Sequence, residues 1–371
     1  MFKNIFEGKK VFISGHTGFK GAWLTVWLLE LGAKIHGFSD QIPTNPSAFE
    51  ALKLSDKITE TRGDVKDFKL LKISVEEFRP DFIFHLAAQP IVSLSYSDPL
   101  TTINTNILGV ANILEVSRHL EHKCVLVVIT SDKCYENVEW EWGYKETDHL
   151  GGKDIYSGSK GAAEVIFHSY YHSFFINHKF VKIASARAGN VIGGGDWAIN
   201  RIVPDCFTIW SVGKVVDVRN SIATRPWQHV LEPLSGYLTL ASNLWENGNS
   251  VNGNSFNFGP ATNQKNHTVL DVIDQLSQYW QPKKPIDSYY VLTDKSLFHE
   301  AGLLKLNCDK ALFHLSWDST LTFDQCINLV GVWYNNYYNE KNTDVYELTL
   351  NQLRFYCETA TKKKVNWSLK N

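Results

Sequence analysis

A tyrosine and a lysine four residues apart are suited to acid–base chemistry. Tyr156 and Lys160 bound the segment Tyr156-Ser157-Gly158-Ser159-Lys160, and an i, i+4 spacing places both side chains on one face of a helix. A phenol with a pKa of about 10 is a poor base at neutral pH, but a neighbouring ammonium favours the phenolate. The spacing therefore predicts that Tyr156 takes a proton from a substrate hydroxyl.

Three further reactive side chains follow a predicted strand. Ser131, Asp132 and Lys133 come directly after the apolar run at 124–130, and open α/β sheets bind ligands at such strand ends. A serine alone suffices to hydrogen-bond a reacting hydroxyl, whereas the adjacent carboxyl and amine suit a second, acid–base step. The alternative is a local ion pair between Asp132 and Lys133.

Strand and helix patterns alternate through the first half of the chain and predict how these groups are positioned. Strands are predicted at 10–14, 34–38, 58–62, 82–86, 124–130 and 181–186, and helices at 22–31, 98–122 and 157–171. This alternation predicts an α/β fold with a Rossmann-type doubly wound parallel sheet. Later helices at 268–280 and 323–338 indicate a smaller mixed α/β domain. We predict one domain at 1–190, with a returning segment near 228–260, and another at 191–371.

A glycine-rich loop joins the first predicted strand to the first helix. Gly15, Gly18 and Gly21 let the chain turn tightly and approach a pyrophosphate, and Thr17 and Phe19 lie in the same loop. The GxxGxxG spacing resembles that of the short-chain dehydrogenase/reductase superfamily. It predicts a dinucleotide site at the start of the helix.

The remaining cofactor contacts are expected after the next strands. Ser39 and Asp40 lie roughly 20 residues beyond the glycines, where a carboxylate accepts hydrogen bonds from the adenosine ribose and repels a 2′-phosphate. NAD is therefore favoured over NADP, although a solvent-exposed loop aspartate is the alternative interpretation. The resemblance implies further cofactor contacts from Asp64, Val65, Leu86, Ala87, Ala88, Tyr156 and Lys160.

Motifs along nearly the whole chain resemble the nucleotide-sugar epimerases and dehydratases of the extended short-chain dehydrogenase/reductase family. Besides the glycine loop and the segments at 130–135 and 156–160, the resemblance rests on motifs at 187–197, 225–230, 299–301 and 304–306. Lys133 after Asp132 is typical of the subgroup that acts on CDP-D-glucose, because the related dTDP-glucose enzymes have glutamate there.

The resemblance implies conversion of CDP-D-glucose to CDP-4-dehydro-6-deoxy-D-glucose and water, with NAD regenerated in each turnover. Tyr156 would remove the O4 proton, Ser131 would bond the same oxygen, and Asp132 would protonate the departing 6-hydroxyl. Lys133 would be the base at C5, or would stabilise the enolate while water or another residue acts as base. A role in making 3,6-dideoxyhexoses of surface polysaccharide such as O-antigen is also implied.

The same resemblance implies which side chains bind the sugar nucleotide. Asn190 and Arg225 match the family's diphosphate-binding positions, and a guanidinium fork suits a diphosphate. Many relatives have a further arginine near 298–300, which this chain lacks, so Arg201 is expected to complete the clamp. Gln89 is implied as another substrate contact, and no single residue visibly selects cytosine.

Composition limits the possible partners and locations. The chain has 37 Lys and Arg against 39 Asp and Glu, so a formal charge of −2 offers no global attraction for nucleic acid or anionic lipid. The run at 21–33 contains Glu30 and is too short to cross a bilayer, and no secretion signal is visible. Six scattered cysteines without a CxxC predict reduced thiols and no metal site. We expect a cytoplasmic protein, and the resemblance implies a homodimer, or a dimer of dimers, through the helices at 98–122 and 157–171.

Two other functions are compatible with these motifs. A nucleotide-sugar 4-epimerase needs Ser131, Tyr156, Lys160 and NAD, but has no use for Asp132 and Lys133 as acid and base. A non-catalytic NAD-binding regulatory protein would keep the glycine loop but would not need tyrosine and lysine one turn apart. Loss of water from the substrate distinguishes the dehydratase from both.

Overall fold

The apolar runs of the first half form most of one parallel sheet. The structure, a computed structural model, describes residues 1–218, 220–248, 250–260, 267–281, 288–293 and 303–369. Its strands are β1 (Lys10–Ser14), β2 (Lys34–Ser39), β3 (Thr59–Arg62), β4 (Phe82–His85), β5 (Cys124–Ile129), β6 (Val181–Ala188), β7 (Val191–Ile192), β8 (Val216–Val218), β9 (Thr224–Arg225), β10 (Gln228–His229), β11 (Ser255–Phe258), β12 (His267–Thr268) and β13 (Tyr290–Leu292).

Helices follow most strands of this sheet. They are α1 (Phe19–Glu30), α2 (Ala48–Ala51), α3 (Phe68–Phe78), α4 (Val92–Ser97), α5 (Pro99–Ile103), α6 (Gly109–Ser117), α7 (Ile155–Tyr170), α8 (Ile202–Ser211), α9 (Leu231–Asn247), α10 (Val269–Ser277), α11 (Asp309–Leu315), α12 (Phe323–Asn339) and α13 (Val345–Lys362). Short 3-10 turns occupy Phe2–Asn4, Leu54–Asp56, Asp132–Cys134 and Asn366–Ser368, and π-helical turns occupy Asn104–Leu108 and Tyr171–Phe175. Within the described ranges, no helix has the length and apolar character needed to cross a membrane.

Seven parallel strands form the central sheet in the order β11-β6-β5-β4-β1-β2-β3. The direction of winding therefore reverses between β1 and β4, which is where such sheets bind ligands. The predicted Rossmann-type doubly wound α/β fold is confirmed. Strand β11 lies within 228–260, the segment expected to return to the first domain, and it joins the sheet beside β6. The division of the chain into two domains at residue 190 stays a prediction.

Both faces of the sheet are covered, which explains why its central strands are almost wholly apolar. Every residue of β5 is buried. One face packs against α1 and α9, and α12 and α13 extend the same apolar cluster, which includes Trp27, Leu238 and Tyr356. The other packs against α3, α6 and α7 through residues such as Val110 and Phe167. The sheet edge at the carboxyl ends of the strands is thus held by two independent apolar layers.

The chain after residue 190 forms short strand pairs and helices around this sheet. The pairs are β7 with β10, β8 with β13, and β9 with β12. Helices predicted at 268–280 and 323–338 are present as α10 and α12, and each begins with a capping box, from Thr268 and Thr322 respectively. Local capping therefore explains where these helices start.

A glycine segment packs against the buried tryptophans that join the two parts of the chain. The indole nitrogen of Trp23 donates to the carbonyl oxygen of Gly194 at 2.8 Å. A Cβ atom on Gly194 would lie 2.0 Å from the ring of Trp333, so no other residue fits there without displacing that ring. Glycine at this position is therefore required by packing.

Gly194→Ala should lower the free energy of unfolding by about 1–3 kcal/mol, because the added methyl group overpacks the Trp333 ring. Gly158→Ala is the matched control: its Cβ would meet nothing within 4 Å in helix α7, and it should be neutral or stabilising by about 0.5–1 kcal/mol. Urea denaturation measures both variants. Equal stability of Gly194→Ala and the wild-type protein would contradict this packing role.

Candidate active site

The loops after β1 and β4 meet at the point where the sheet reverses its winding. Gly15 has a φ of +78°, and a Cβ atom there would lie 2.6 Å from the backbone nitrogen of Ala87. A Cβ atom on Gly21 would lie 2.2 Å from the carbonyl oxygen of Gly15. Gly18 is the N-cap of α1 and provides no side-chain cap for the first turn. The glycine loop thus forms a close cradle with helix amides at one end.

This cradle fits the pyrophosphate of a dinucleotide, because helix N-terminal amides and closely approaching backbone favour an anion. Leu86 continues the parallel ladder by donating its amide to the carbonyl oxygen of Ser14 at 2.9 Å, and Ala88 follows in the same loop. The Thr17 hydroxyl donates to the carbonyl oxygen of Gln41 at 2.7 Å and so joins the loop to the chain after β2. Phe19 lies beside Gly193, whose added Cβ would be 3.0 Å from the phenyl ring.

The residues predicted to contact adenosine follow β2 and β3. Asp40 is exposed, and its carboxylate accepts a hydrogen bond from the amide of Gln41 at 2.8 Å. Ser39 differs from it, because its buried hydroxyl is hydrogen-bonded to Nδ1 of His16 at 3.0 Å. The Ser39 side chain therefore supports the glycine loop, and Asp40 provides the carboxylate at this strand end.

Asp64 and Val65 occupy the corresponding position after β3. The Asp64 carboxylate accepts from the amide of Lys66 at 2.8 Å and pairs with its ammonium at 3.1 Å. Val65 is buried, and its carbonyl oxygen accepts from the side-chain amide of Asn112 in α6 at 2.9 Å. Both predicted residues thus belong to a turn that is fixed to the neighbouring helix.

Helix α7 carries the tyrosine and the lysine. The Asp154 side chain caps this helix by accepting from the amide of Ser157 at 2.9 Å. Tyr156 then lies in the first turn and Lys160 one turn later, and both side chains are buried. The Lys160 ammonium lies 6.0 Å from the centre of the Tyr156 ring. The structure therefore brings the two together as the spacing predicted.

Burial moves both groups toward their neutral forms. It raises the pKa of Tyr156 to about 12, with the Ser131 side chain and the charge of Arg201 acting in the opposite direction. Burial lowers the pKa of Lys160 to about 8, and interactions with Cys134 and with the Glu164 carboxylate act in the opposite direction. Formation of the phenolate near neutral pH therefore requires further positive charge beside Tyr156.

Ser131 and Asp132 form a tight turn directly after β5. The Ser131 hydroxyl donates to the Asp132 carboxyl at 3.0 Å and accepts from the amide of Lys133 at 3.2 Å. Asp132 is buried, and this burial raises the pKa of its carboxyl, although the charges of Lys133 and Lys20 act to lower it. A raised pKa is the property that a general acid requires.

Lys20 is the residue of this site that the sequence analysis missed. It lies in the first turn of α1, between Gly18 and Gly21. Burial lowers its pKa to about 8, and the neighbouring charges that act on it include those of Arg201, Asp132 and Lys160. The only available signal was a lysine inside the glycine loop, because its nearness to the reactive groups depends on the tertiary fold.

The predicted substrate side chains are distributed along the same edge. Arg201 precedes α8, pairs with Asp196 at 2.8 Å, and is close enough for its charge to act on Tyr156. Asn190 is exposed directly after β6. The guanidinium of Arg225 donates to the carbonyl oxygen of Thr224 at 2.8 Å. The motif at 304–306 pairs through Leu306 with Tyr144, whereas the motif at 299–301 lies outside the described residues.

The segment at 189–190 lies next to the segment at 225–226, and the two approach each other at Gly189. A Cβ atom on Gly189 would lie 2.9 Å from the Asp132 carboxyl and 3.2 Å from the ring of Pro226. The absence of a side chain at Gly189 therefore makes room for the Asp132 carboxyl. The segments that carry Asn190 and Arg225 therefore approach each other at Gly189 and Pro226.

Gln89 contributes to a polar network between the β4 loop and helix α7. Its side-chain amide donates to the hydroxyl of Thr102 at 2.8 Å, and its backbone amide donates to the side-chain oxygen of Asn106 at 2.8 Å. Asn106, in the π-helical turn, donates in turn to the hydroxyl of Ser159 at 2.9 Å. The Gln89 side chain thus joins the β4 loop to α5. Its contact with the substrate stays a prediction.

Comparisons with known proteins agree with this architecture. The model of the GDP-mannose 4,6 dehydratase family matches residues 12–330. A CDP-glucose 4,6-dehydratase of Salmonella typhimurium is 42% identical over 336 residues, which are 90% of this chain and 92% of that protein.

Two solved structures share the fold. An epimerase of Methanothermobacter thermautotrophicus superposes with a TM-score of 0.75 at 20% identity, covering 91% of this chain and 95% of its own. A dTDP-glucose 4,6-dehydratase of Bacillus anthracis in complex with NAD gives a TM-score of 0.70 at 21% identity, covering 90% and 98%.

The family match spans most of the chain and includes the glycine loop, the Ser131–Asp132 turn and helix α7. The resemblance noted from the sequence motifs is confirmed, and the chain belongs to the GDP-mannose 4,6 dehydratase family.

Proposed function

We propose that this protein is an NAD-dependent CDP-D-glucose 4,6-dehydratase. The relative at 42% identity bears that name, and one observation supports the chemistry: Asp132 is a buried carboxyl with a raised pKa, hydrogen-bonded to Ser131 and electrostatically coupled to Tyr156. A 4-epimerase needs no acid for a leaving hydroxyl. The buried carboxyl therefore favours elimination of water over simple inversion at C4.

The cofactor would be held by the cradle of Gly15, Gly18 and Gly21, with Asp40 at the adenosine ribose favouring NAD over NADP. Bound NAD would supply the hydride acceptor for C4, the hydride donor for C6 and a positive charge that favours the Tyr156 phenolate. Lys160 would bind the nicotinamide ribose.

The protein's own groups would then move protons in four steps. Tyr156 takes the proton of the O4 hydroxyl, while Ser131 hydrogen-bonds the same oxygen. The resulting ketone acidifies the C5 proton, which a base removes. Asp132 gives its proton to the departing 6-hydroxyl, so that water leaves, and the protonated base returns a proton to C5 as hydride is added at C6.

Lys133 is the proposed base at C5, and water or another residue is the alternative. Lys133 follows Asp132 in the 3-10 turn, and its amine would have to be neutral to accept a proton. Lys133 would otherwise stabilise the enolate. Lys20 is a second lysine whose charge acts on Asp132, and burial lowers its pKa to about 8.

The sugar nucleotide would bind between the β6 and β9 ends. Asn190 and Arg225 are the chain neighbours of Gly189 and Pro226, which lie close to each other. Arg201 is close enough to act electrostatically on Tyr156. These groups would hold the diphosphate near the reacting sugar, and the choice of cytosine is supported by the relative's name alone.

We further propose a homodimer through α5–α6 and α7. Exposed apolar side chains lie on these helices and next to them, including Tyr96, Leu100, Leu108 and Val165. Exposed apolar side chains grouped on neighbouring helices are typical of a protein–protein interface, and the resemblance implies a second copy of the chain as the partner. Light scattering would show twice the chain mass, and a monomeric mass would contradict the dimer.

Mass spectrometry of sugar nucleotides tests the proposed function. The purified protein is incubated separately with CDP-glucose, dTDP-glucose, UDP-glucose and GDP-mannose, with and without NAD. Loss of one water from CDP-glucose alone is expected. An unchanged mass with a new sugar stereoisomer would identify an epimerase instead, and no change with any donor would refute both assignments.

Tyr156→Phe should bind NAD as the wild-type protein does but lose hydride transfer from C4, because no base remains for the O4 proton. A fall in turnover of about 100-fold or more is expected for loss of a general base. Absorbance at 340 nm after mixing with substrate reports the reduced cofactor. Undiminished formation of NADH would overturn the role of Tyr156.

Asp132→Asn should oxidise C4 and exchange the C5 proton with solvent but should fail to release water, because its side chain cannot donate the proton. Lys133→Met should lose both exchange and water release if Lys133 is the base. Deuterium incorporation in heavy water, read by mass spectrometry, separates the two steps. Wild-type water release by Asp132→Asn would exclude the acid role.

A further inference from the structure

A fully buried carboxylate lies on the catalytic helix and has no part in the proton transfers described above. Glu164 follows Lys160 by one helical turn and has no exposed surface. Its oxygens accept hydrogen bonds from the hydroxyl of Thr130, the hydroxyl of Ser185 at 2.9 Å, the hydroxyl of Ser255 at 3.0 Å and the guanidinium of Arg187 at 2.8 Å. These donors lie on or just after strands β5, β6 and β11.

Arg187 extends this contact to the segment that carries Asp132. The guanidinium is buried between Glu164 and Tyr135, and it donates to the Tyr135 hydroxyl at 2.8 Å. Tyr135 is the residue that ends the 3-10 turn of Asp132. The Tyr135 hydroxyl donates onward to Asn257 in β11 at 2.7 Å.

The network therefore holds both ends of the Ser131–Asp132 turn. Thr130 directly precedes this turn and donates to Glu164, while Tyr135 directly follows it and accepts from Arg187. The opposite side of the network is helix α7 with Tyr156 and Lys160. We propose that Glu164 and Arg187 form a positioning pair that fixes Tyr156 and Lys160 relative to the Ser131–Asp132 turn.

The charge of Glu164 has a second effect, which acts on Lys160. Burial alone would raise the pKa of Glu164, but the charge and hydrogen bond of Arg187, together with Thr130 and Ser185, lower it to about 2. Burial also raises the pKa of the Cys134 thiol, which is therefore neutral. Glu164 is thus the negative charge that opposes the desolvation of Lys160 and keeps its amine protonated near neutral pH.

The titratable groups around this pair are identified by their electrostatic and ring contacts. Those facing Lys160 are Glu164, Cys134, Tyr156, Lys20 and His85. Those facing Glu164 are Arg187, Lys160, His168, Cys134 and Lys310. Loss of the Glu164 charge leaves Lys160 with cations and neutral groups only.

Titration of Lys160 tests the pair without any substrate. In protein labelled with ¹³C at the lysine Cε atoms, the buried Lys160 signal is assigned with Lys160→Met and followed against pH. Glu164→Gln should lower the pKa of Lys160 by about one unit, the size expected for a partly screened charge one turn away. Its turnover of CDP-glucose should fall about tenfold or more, with the Michaelis constant changed less than about threefold.

Thr130→Val is the matched control, because it removes one hydrogen bond from Glu164 but leaves the carboxylate charged. Its Lys160 titration should match that of the wild-type protein. If the unpaired Arg187 prevents Glu164→Gln from folding, the double variant Glu164→Leu/Arg187→Met removes both buried charges and should show the same lowered pKa.

A purely structural role would lower the melting temperature and leave the Lys160 titration unchanged, and that result would overturn the proposal. The turnover measurement rests on the proposed function, whereas the titration does not. Inactivity of the wild-type protein with every sugar nucleotide would therefore refute the proposed function and leave the positioning pair open to the titration test.

Discussion

Parallel strands bring the residues that follow them to a single edge of a sheet, and the loops that form this site depend on that constraint. The glycine loop follows β1, Asp40 follows β2, Leu86 and Ala87 follow β4, and the Ser131–Asp132 turn follows β5. The winding of the sheet reverses between β1 and β4, and the loops that follow these two strands approach each other closely at Gly15 and Ala87. The apolar layers on both faces keep that edge in register.

Charge burial is the second condition that shapes the site. Lys20, Asp132, Tyr156 and Lys160 all lose water contacts, and burial moves the pKa of each toward the neutral form. The Asp132 carboxyl retains its proton, and the Tyr156 phenol loses its proton only when a positive charge is nearby. These two properties suit an enzyme in which an acid and a base act in turn. Glu164 differs from these groups because its ion pair with Arg187 keeps it charged. It therefore places a negative charge one helical turn after Lys160.

Local patterns in the sequence predict much of the fold but less of the site. The apolar runs give strands such as β1 and β5 with ends correct within a residue or so, because buried parallel strands are continuous in hydrophobicity. The pairing of β11 with β6 depends on a contact between distant parts of the chain, and periodicity alone does not define it.

Motif residues that share a turn or a helix could be predicted to lie close to each other, as Tyr156 and Lys160 show. Lys20 and Glu164 could not, because their importance comes from burial and from partners on other elements. Hydrogen bonds of Ser39 with His16 and of Gln89 with Thr102 likewise follow from the tertiary structure. The roles assigned to the catalytic and binding residues stay predictions until the variants are measured.

The π-helical turn at Asn104–Leu108 has a mechanical consequence. A π turn contains one more residue than an α turn, so helix α6 is rotated by about 100° relative to a straight continuation of α5. The extra residue leaves Asn106 between the loop of Gln89 and the hydroxyl of Ser159. A single side-chain amide thus joins the β4 loop to the helix that carries Tyr156 by hydrogen bonds to both.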